Sequence, residues 1–305
     1  MRITEVPVER CYPRNVKLPT KISPIRGNLL ILKTLFLAVF KQFEPKYNEI
    51  RGLIGATGFV GGQLQSQTEF SHFYNSKNMN SIENTKFDLL ICAGARAEKW
   101  KANQFPIEDE IHIQSLCQIL STVQAKTAIL ISTVDVYDDL TNANENSVIA
   151  FDRNHTYGRN RFALENFWKN HFTNYLIIRL PALFGSGLKK NIVYDFLNDN
   201  EIEKIDSRHK FQFYNIENLW HDIERALALN IKEINMTSEP ILAREVAKVL
   251  VNDEFNSEVA EKVISYDLKS IHAHHWNGTN GYLYSKSQVL NELKKFGESY
   301  KRELK

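Results

Sequence analysis

Cysteine is scarce in this chain. Its three thiols, Cys11, Cys92 and Cys117, stand at wide and unrelated spacings, which excludes a disulfide framework and a cysteine-based zinc pattern. Free thiols in a reducing, cytoplasmic compartment are the expectation, with Cys92 in an apolar run and Cys117 on an apolar helix face, both suited to burial. An excess of charge of one sign is also missing. With 38 basic and 36 acidic side chains, nothing favours nucleic acid or an anionic membrane as partner. Long hydrophobic runs are missing as well: the most apolar stretch, Leu29–Phe40, is broken by Lys33 and falls short of a membrane span. It begins too far into the chain for a simple secretory signal, and no small-residue cleavage pattern follows. Three readings of residues 1–48 stay open: a helix packed on the domain, a membrane-surface helix through residues 29–40, or residues outside the fold. An extension outside the core is preferred. The run His272-Ala273-His274-His275 lacks the spacing of a helical zinc pair, and Asp267 does not complete a ligand set, so no metal site is expected.

What is present reads as an α/β protein. The 305 residues suffice for one large domain with a smaller lobe, and 43% hydrophobic against 24% charged residues fits an ordinary soluble core. Short apolar runs alternate with helical patterns: Ile50–Ile54, His72–Tyr74, Phe87–Ala93, Ala128–Ser132 and Tyr175–Leu180 as strands; Gly61–Gln67 and Asn160–Asn170 as helices, with a helical face on Ile113, Leu116, Cys117 and Leu120. That alternation predicts a Rossmann-type, doubly wound parallel sheet. Past Pro181 the regularity breaks, aromatics cluster (Phe211, Phe213, Tyr214, Trp220), and helices are expected at Leu219–Leu229, Ala243–Leu250 and Ser285–Phe296. The division expected is residues 1–48 as an extension, 49–180 as a dinucleotide-binding domain, and 181–305 as mostly a substrate lobe, with Ile234–Thr237 returning to the main sheet.

Two constellations carry chemistry. In Ile50–Leu64, the glycines Gly55, Gly58 and Gly61 follow a strand and open a helix. The first suits a tight turn, the second lets backbone approach a pyrophosphate, and the third lets helix lie on strand. The amides of Thr57, Phe59, Val60 and their glycine neighbours then face the phosphates at the helix N-terminus. The second constellation is Thr133 after a buried strand, with Tyr157 and Arg161 one helical turn apart. A cation beside a phenol stabilises its phenolate, so the Tyr157 pKa is expected to fall and the group to serve as general acid or base, with Thr133 orienting a substrate oxygen.

At these residues the chain resembles the extended short-chain dehydrogenase/reductase family, the NAD-dependent epimerase/dehydratase branch that acts on nucleotide sugars. The glycine turn Gly55–Gly61 is similar to its cofactor motif, Thr133–Tyr137 to its Ser/Thr-x-x-x-Tyr segment, and Tyr157 stands at its catalytic tyrosine. Phe87–Ala95 falls where the family has the strand under the nicotinamide ribose. Ile178–Pro181 with Phe184-Gly185, then Phe213–Leu219 and Ser285–Phe296, follow in the family's order. The resemblance spans residues 49–297. It implies catalytic Thr133, Tyr157 and Arg161, cofactor contacts at the glycine turn, at Ala93, Gly94, Ala95, Leu180 and Pro181, a nucleotide-sugar substrate and a homodimer.

The departures from the family pattern narrow the reading. Arg161 stands where the family has lysine, and His112–Ile113 falls where it has a structural asparagine. Arginine keeps the charge but is bulkier and donates differently. Val134-Asp135 lacks the first of the dehydratases' paired acids, which argues against a 4,6-dehydratase and leaves reductase or epimerase. After the second strand, Asn75-Ser76-Lys77 holds no carboxylate, so Ser76 and Lys77 can meet a 2′-phosphate, favouring NADP over NAD. Asp135 is a candidate substrate contact or a turn cap, Lys189 and Lys190 with Asn191 candidate diphosphate contacts or solvated residues, and Arg179 a site residue or half of a buried ion pair. Two functions follow: an NAD(P)-dependent oxidoreductase or epimerase using Tyr157 as acid/base, or a dinucleotide-binding sensor of the same fold without turnover.

Overall fold

The computed structural model describes residues 49–303; Cys11, the Leu29–Phe40 stretch and the extension through residue 48 lie outside them. Strands β1 (Arg51–Ile54), β2 (His72–Tyr74), β3 (Lys86–Cys92), β4 (Gln124–Thr133) and β5 (Tyr175–Leu180) are joined by helices α1 (Phe59–Gln67), α2 (Lys99–Gln104), α3 (Pro106–Leu120) and α4 (Thr156–His171). Then come β6 (Ala182–Phe184), α5 (Ile192–Asn198), β7 (Lys210–Phe211), β8 (Phe213–Asn215), α6 (Leu219–Ala228), β9 (Glu233–Asn235), β10 (Ile241–Leu242), α7 (Ala243–Val251) and α8 (Lys286–Glu303).

The parallel sheet runs β2-β1-β3-β4-β5-β9. Its central strands are apolar on both sides, because successive side chains point to opposite faces. Leu89, Ile91, Ile129, Ile131, Leu176 and Ile178 face a layer containing Leu64 of α1 and Ile223 of α6. Leu90, Cys92, Ala128, Leu130 and Ile177 face Leu116 and Leu120 of α3 and Leu164 and Trp168 of α4. The expected return strand forms as β9, which adds to β5 with Ile234 opposite Ile178. The strand order reverses between β1 and β3, and in open α/β sheets that crevice at the carboxyl ends is where ligands bind.

Later segments build a third apolar cluster. Phe184, Val193, Phe196, Phe213, Val246, Leu250, Val289 and Leu293 join α5, α7 and α8, beside the two-stranded pairs β6–β8 and β10–β7.

Three elements differ from expectation. The helix expected from Asn160 starts at Thr156, because His155 Nδ1 accepts the Gly158 amide at 2.9 Å and caps it. Burial and the nearby Lys99 cation hold the His155 pKa down, and only the neutral imidazole offers that acceptor. Helix α8 continues past Phe296 to Glu303, and the short α2 precedes α3, where Pro106 starts a new helix. Arg179 lies in a buried ion pair: its guanidinium reaches Glu165 at 2.6 Å and Glu233 at 2.6 Å, with itself and Glu165 at most 1% exposed. Ser132 Oγ donates to the same Glu165 at 2.6 Å, and Arg179 donates to the Tyr137 hydroxyl at 2.8 Å. The network ties β4, β5, β9 and α4 together below the site.

Candidate active site

The glycine turn is closed from both sides. Gly55 has φ +82°, a conformation that favours glycine, and its amide and that of Ala56 donate to the Tyr74 carbonyl at 2.9 and 3.1 Å. A Cβ on Gly55 would stand 2.3 Å from the Ala93 carbonyl oxygen, so the carboxyl ends of β1 and β3 are in backbone contact. Ala93, Gly94 and Ala95 therefore border the turn. Gly58 is the N-cap of α1, with no side-chain cap among the described residues and no acid in the first turn. A Cβ there would meet only the Gly55 carbonyl, at 3.3 Å. Thr57 is exposed, and Phe59 and Val60 are half-buried. This end of α1 fits an anionic phosphate, since neither a capping side chain nor a carboxylate competes for it.

The turn after β2 is folded by its asparagines. The Asn75 amide donates to Asn78 Oδ1 at 2.7 Å, and the Lys77 amide donates to Asn75 Oδ1 at 2.9 Å. Ser76 and Lys77 are left exposed. The Asn75 side chain therefore shapes this turn, while the other two remain accessible beside Gly55.

The sheet register sets Thr133 opposite Leu180, so Leu180 and Pro181 end β5 at the level of the Thr133 hydroxyl. Tyr157, in the first turn of α4, is 7% exposed, and its backbone amide donates to Asn103 Oδ1 at 3.0 Å. Burial raises the Tyr157 pKa. Arg161 and the Thr133 hydroxyl pull it down, but they do not outweigh burial and the negative charge of Asp135. The expected fall is thus corrected: burial leaves the phenol holding its proton more firmly than an ordinary tyrosine.

Arg161 is not a free cation. Its two terminal nitrogens bond both oxygens of Asp109, at 3.0 and 2.9 Å, and one also donates to the Arg96 carbonyl. Arg161 and Asp109 side chains are 2% and 5% exposed, and the guanidinium carbon lies 4.5 Å from the Tyr157 ring centroid. Asn160 adds a third bond to Asp109 at 2.8 Å. Burial pushes the Asp109 carboxyl up, but the bonds from Arg161 and Asn160 prevail and hold its pKa below the usual value. Arg161 Nε and the neighbouring His112 Nε2 are buried without a hydrogen-bond partner among the described residues. Two orphaned polar atoms beside the β3 end fit a site that takes a polar ligand.

The residues from Lys189 to Asn191 differ in role. Lys190 Nζ donates to the Ala97 carbonyl at 2.8 Å, and burial lowers its pKa. Lys189 is exposed. Asn191 caps α5 through bonds from Val193 and Tyr194 amides, and its Nδ2 donates to the Leu183 carbonyl. Asp135 accepts from Lys99 Nζ at 2.8 Å and from the Tyr266 hydroxyl at 2.9 Å. Lys99, Tyr266, Asn103 and Asp109 are the neighbours that sequence reading did not single out. Asp109 alone carried a signal: it shares a buried stripe with Ile113, Leu116 and Leu120, and a carboxylate on such a stripe requires a cation. Among the described residues no group of three or more His, Cys, Asp or Glu side chains is arranged to hold a metal.

No protein-family model matches the chain, and no curated protein matches it in sequence. Solved structures match its shape. The dTDP-4-dehydrorhamnose reductase of Bacillus anthracis in complex with NADP superposes with a TM-score of 0.64 at 15% identity, over 83% of this chain and 99% of that one. The UDP-glucose 4-epimerase of Thermotoga maritima with UDP-glucose does so at 0.62 and 14% identity, over 84% of this chain and 100% of that one. MoeE5, in complex with UDP-glucose and NAD, gives 0.61 at 13% identity, over 84% and 100%. The chain therefore has the doubly wound fold found in nucleotide-sugar reductases and epimerases.

Proposed function

We propose that this protein is an extended short-chain dehydrogenase/reductase of the nucleotide-sugar branch, a reductase or epimerase that binds NADP in preference to NAD. The observation that carries the reading is the convergence at the carboxyl ends of the central strands: Thr133 at the end of β4 meets Tyr157 and Arg161 at the start of α4, beside the turn where Gly55 and Ala93 touch. The N-terminus of α1 would hold the cofactor's diphosphate, Ser76 and Lys77 its 2′-phosphate, and Ala93–Ala95, Leu180 and Pro181 its nicotinamide half. When bound, that cofactor supplies hydride exchange with a sugar carbon. Tyr157 would pass the proton on its phenol oxygen to a carbonyl oxygen, becoming phenolate, and in the reverse direction that phenolate would take the proton back from the hydroxyl. Thr133 orients that oxygen. Asp135 and the exposed Lys189 would meet the sugar and its diphosphate, while Asn191 shapes the start of α5 beside them.

The test is a screen of nucleotide sugars with the purified protein and with Tyr157→Phe. Turnover that Tyr157→Phe lowers by at least about a hundredfold, at unchanged cofactor affinity, supports the reading. Equal turnover in both removes Tyr157 from it. The pairing of Arg161 with Asp109 favours a second reading, a cofactor-binding sensor without turnover. Tight NADPH binding with no nucleotide sugar converted would select that one.

A further inference from the structure

We infer that Asp109 is a positioning residue for Tyr157: by pairing with both ends of the Arg161 guanidinium it fixes that group over the tyrosine ring and offsets its charge there. The inference rests on the reading of Tyr157 as the acid/base of the site. The arginine sits in the second turn of α4 with its terminal nitrogens bound to Asp109, at 2.9 and 3.0 Å. The partner carboxylate comes from a different helix, α3, and is itself held by Asn160. Three fixed bonds to a buried carboxylate leave the guanidinium no freedom to swing, and bidentate geometry is one that lysine cannot copy. The ammonium of an Arg161→Lys variant could meet Asp109 through one point contact only and would keep its freedom to rotate. Here the phenol faces an oriented ion pair whose net charge is zero.

The other charged groups around the phenol form a separate set. Asp135 faces it from the end of β4, already paired with Lys99 of α2 and with Tyr266 of the lobe. His155 lies on the same helix, its ring centroid 6.2 Å from that of Tyr157. His112 of α3 and Arg96 of the β3–α2 loop border the Arg161–Asp109 pair. Of these, His112 feels the pair directly, Arg161 lowering and Asp109 raising its pKa beneath the larger effect of burial, so its own titration is followed in the same variants.

Charge cancellation makes the two single substitutions act in opposite directions. Asp109→Asn leaves the arginine uncompensated and should lower the tyrosine pKa by about 1 unit or more. Arg161→Gln leaves the carboxylate uncompensated and should raise it. The double variant, Asp109→Asn with Arg161→Gln, restores zero net charge at nearly constant shape and should titrate within about half a unit of the unaltered protein. The measurement is a pH titration of ring-labelled tyrosine by carbon NMR on the full chain, with the Tyr157 resonance identified by its disappearance in Tyr157→Phe. Opposite shifts that cancel in the double variant support the inference. A titration that moves in the same direction in both single variants, or in neither, overturns it, because a merely structural pair would change melting temperature without ordered shifts of this resonance. If one single variant does not fold, the double variant decides together with the other: its failure to return to the original titration overturns the inference. The titration needs no cofactor, so a protein that shows the ordered shifts but binds neither NADPH nor NADH would overturn the functional reading alone.

Discussion

Two adjacent glycines in α1 should respond to the same substitution with opposite signs. A methyl on Gly61 would stand 2.1 Å from the Gly55 carbonyl oxygen, 2.8 Å from its carbonyl carbon and 3.0 Å from the Ala56 Cα. All three are backbone atoms of the turn, so α1 must move away by roughly an ångström, the scale of overpacking that costs about 1–3 kcal/mol. A methyl on Gly62 meets nothing within 4 Å among the described residues. There, alanine gains helix propensity, about 0.5–1 kcal/mol. Urea unfolding followed by circular dichroism reads both. Gly61→Ala should lower the midpoint and Gly62→Ala should raise it. Because the shift of α1 also displaces the amides proposed to hold a diphosphate, Gly61→Ala should weaken NADPH binding at least tenfold, about 1.4 kcal/mol, while Gly62→Ala leaves it unchanged. A Gly61→Ala protein as stable and as tight-binding as the original would refute the claim that helix and turn are in backbone contact.

Other consequences concern the buried polar groups. Glu165→Gln removes one carboxylate from a buried arginine and should cost about 3–5 kcal/mol, near the lower end because Glu233 remains bound to Arg179; an unfolding midpoint equal to the original would contradict the network's role. Glu201→Gln, which breaks an exposed pair with Lys204, should leave that midpoint unmoved. Tyr214 and Tyr284 both donate to Asp222, at 2.6 and 2.5 Å, and burial followed by the Asp222 charge raises their pKa values above 10.0. The folded protein keeps these protons while the unfolded chain releases them, so stability is intact below pH about 10 and falls as pH rises beyond it. Denaturation midpoints from pH 9 to pH 12 should show that decline, with a shallower slope in Tyr214→Phe; parallel slopes would assign the decline to other groups.

The central strands were legible because fully buried parallel strands must be apolar on both faces. Tyr175–Leu180 forms with the boundaries expected, as does the partly exposed edge strand His72–Tyr74. The strand order was less accessible. Between β2 and β3 the chain folds only a short 3-10 turn, Met79–Ile82, so β2 stands at the sheet edge, and no local pattern specifies that. The glycine turn, Thr133 and Tyr157 could be read because each marks a strand end or a helix start. The environment of Tyr157 could not. Burial and the Asp135 charge raise its pKa against the pull of Thr133 and of Arg161, which is itself paired with Asp109. That pairing is a contact across 52 residues, from Asp109 to Arg161. Asn191 illustrates the same limit: as a sequence letter it suits a diphosphate contact, whereas in the fold its oxygen caps α5. Lys99 and Tyr266 meet Asp135 only because α2 and the segment after α7 converge there.

The central claim is that the crevice between β1 and β3 takes a nicotinamide dinucleotide beside Tyr157. Fluorescence titration of the purified chain with NADPH and, separately, NADH tests it most directly, after checking for cofactor carried through purification. The account predicts saturable binding, tighter for NADPH, with the preference weakened by Ser76→Ala and Lys77→Ala. Failure of both dinucleotides to bind, with none carried through purification, would contradict it.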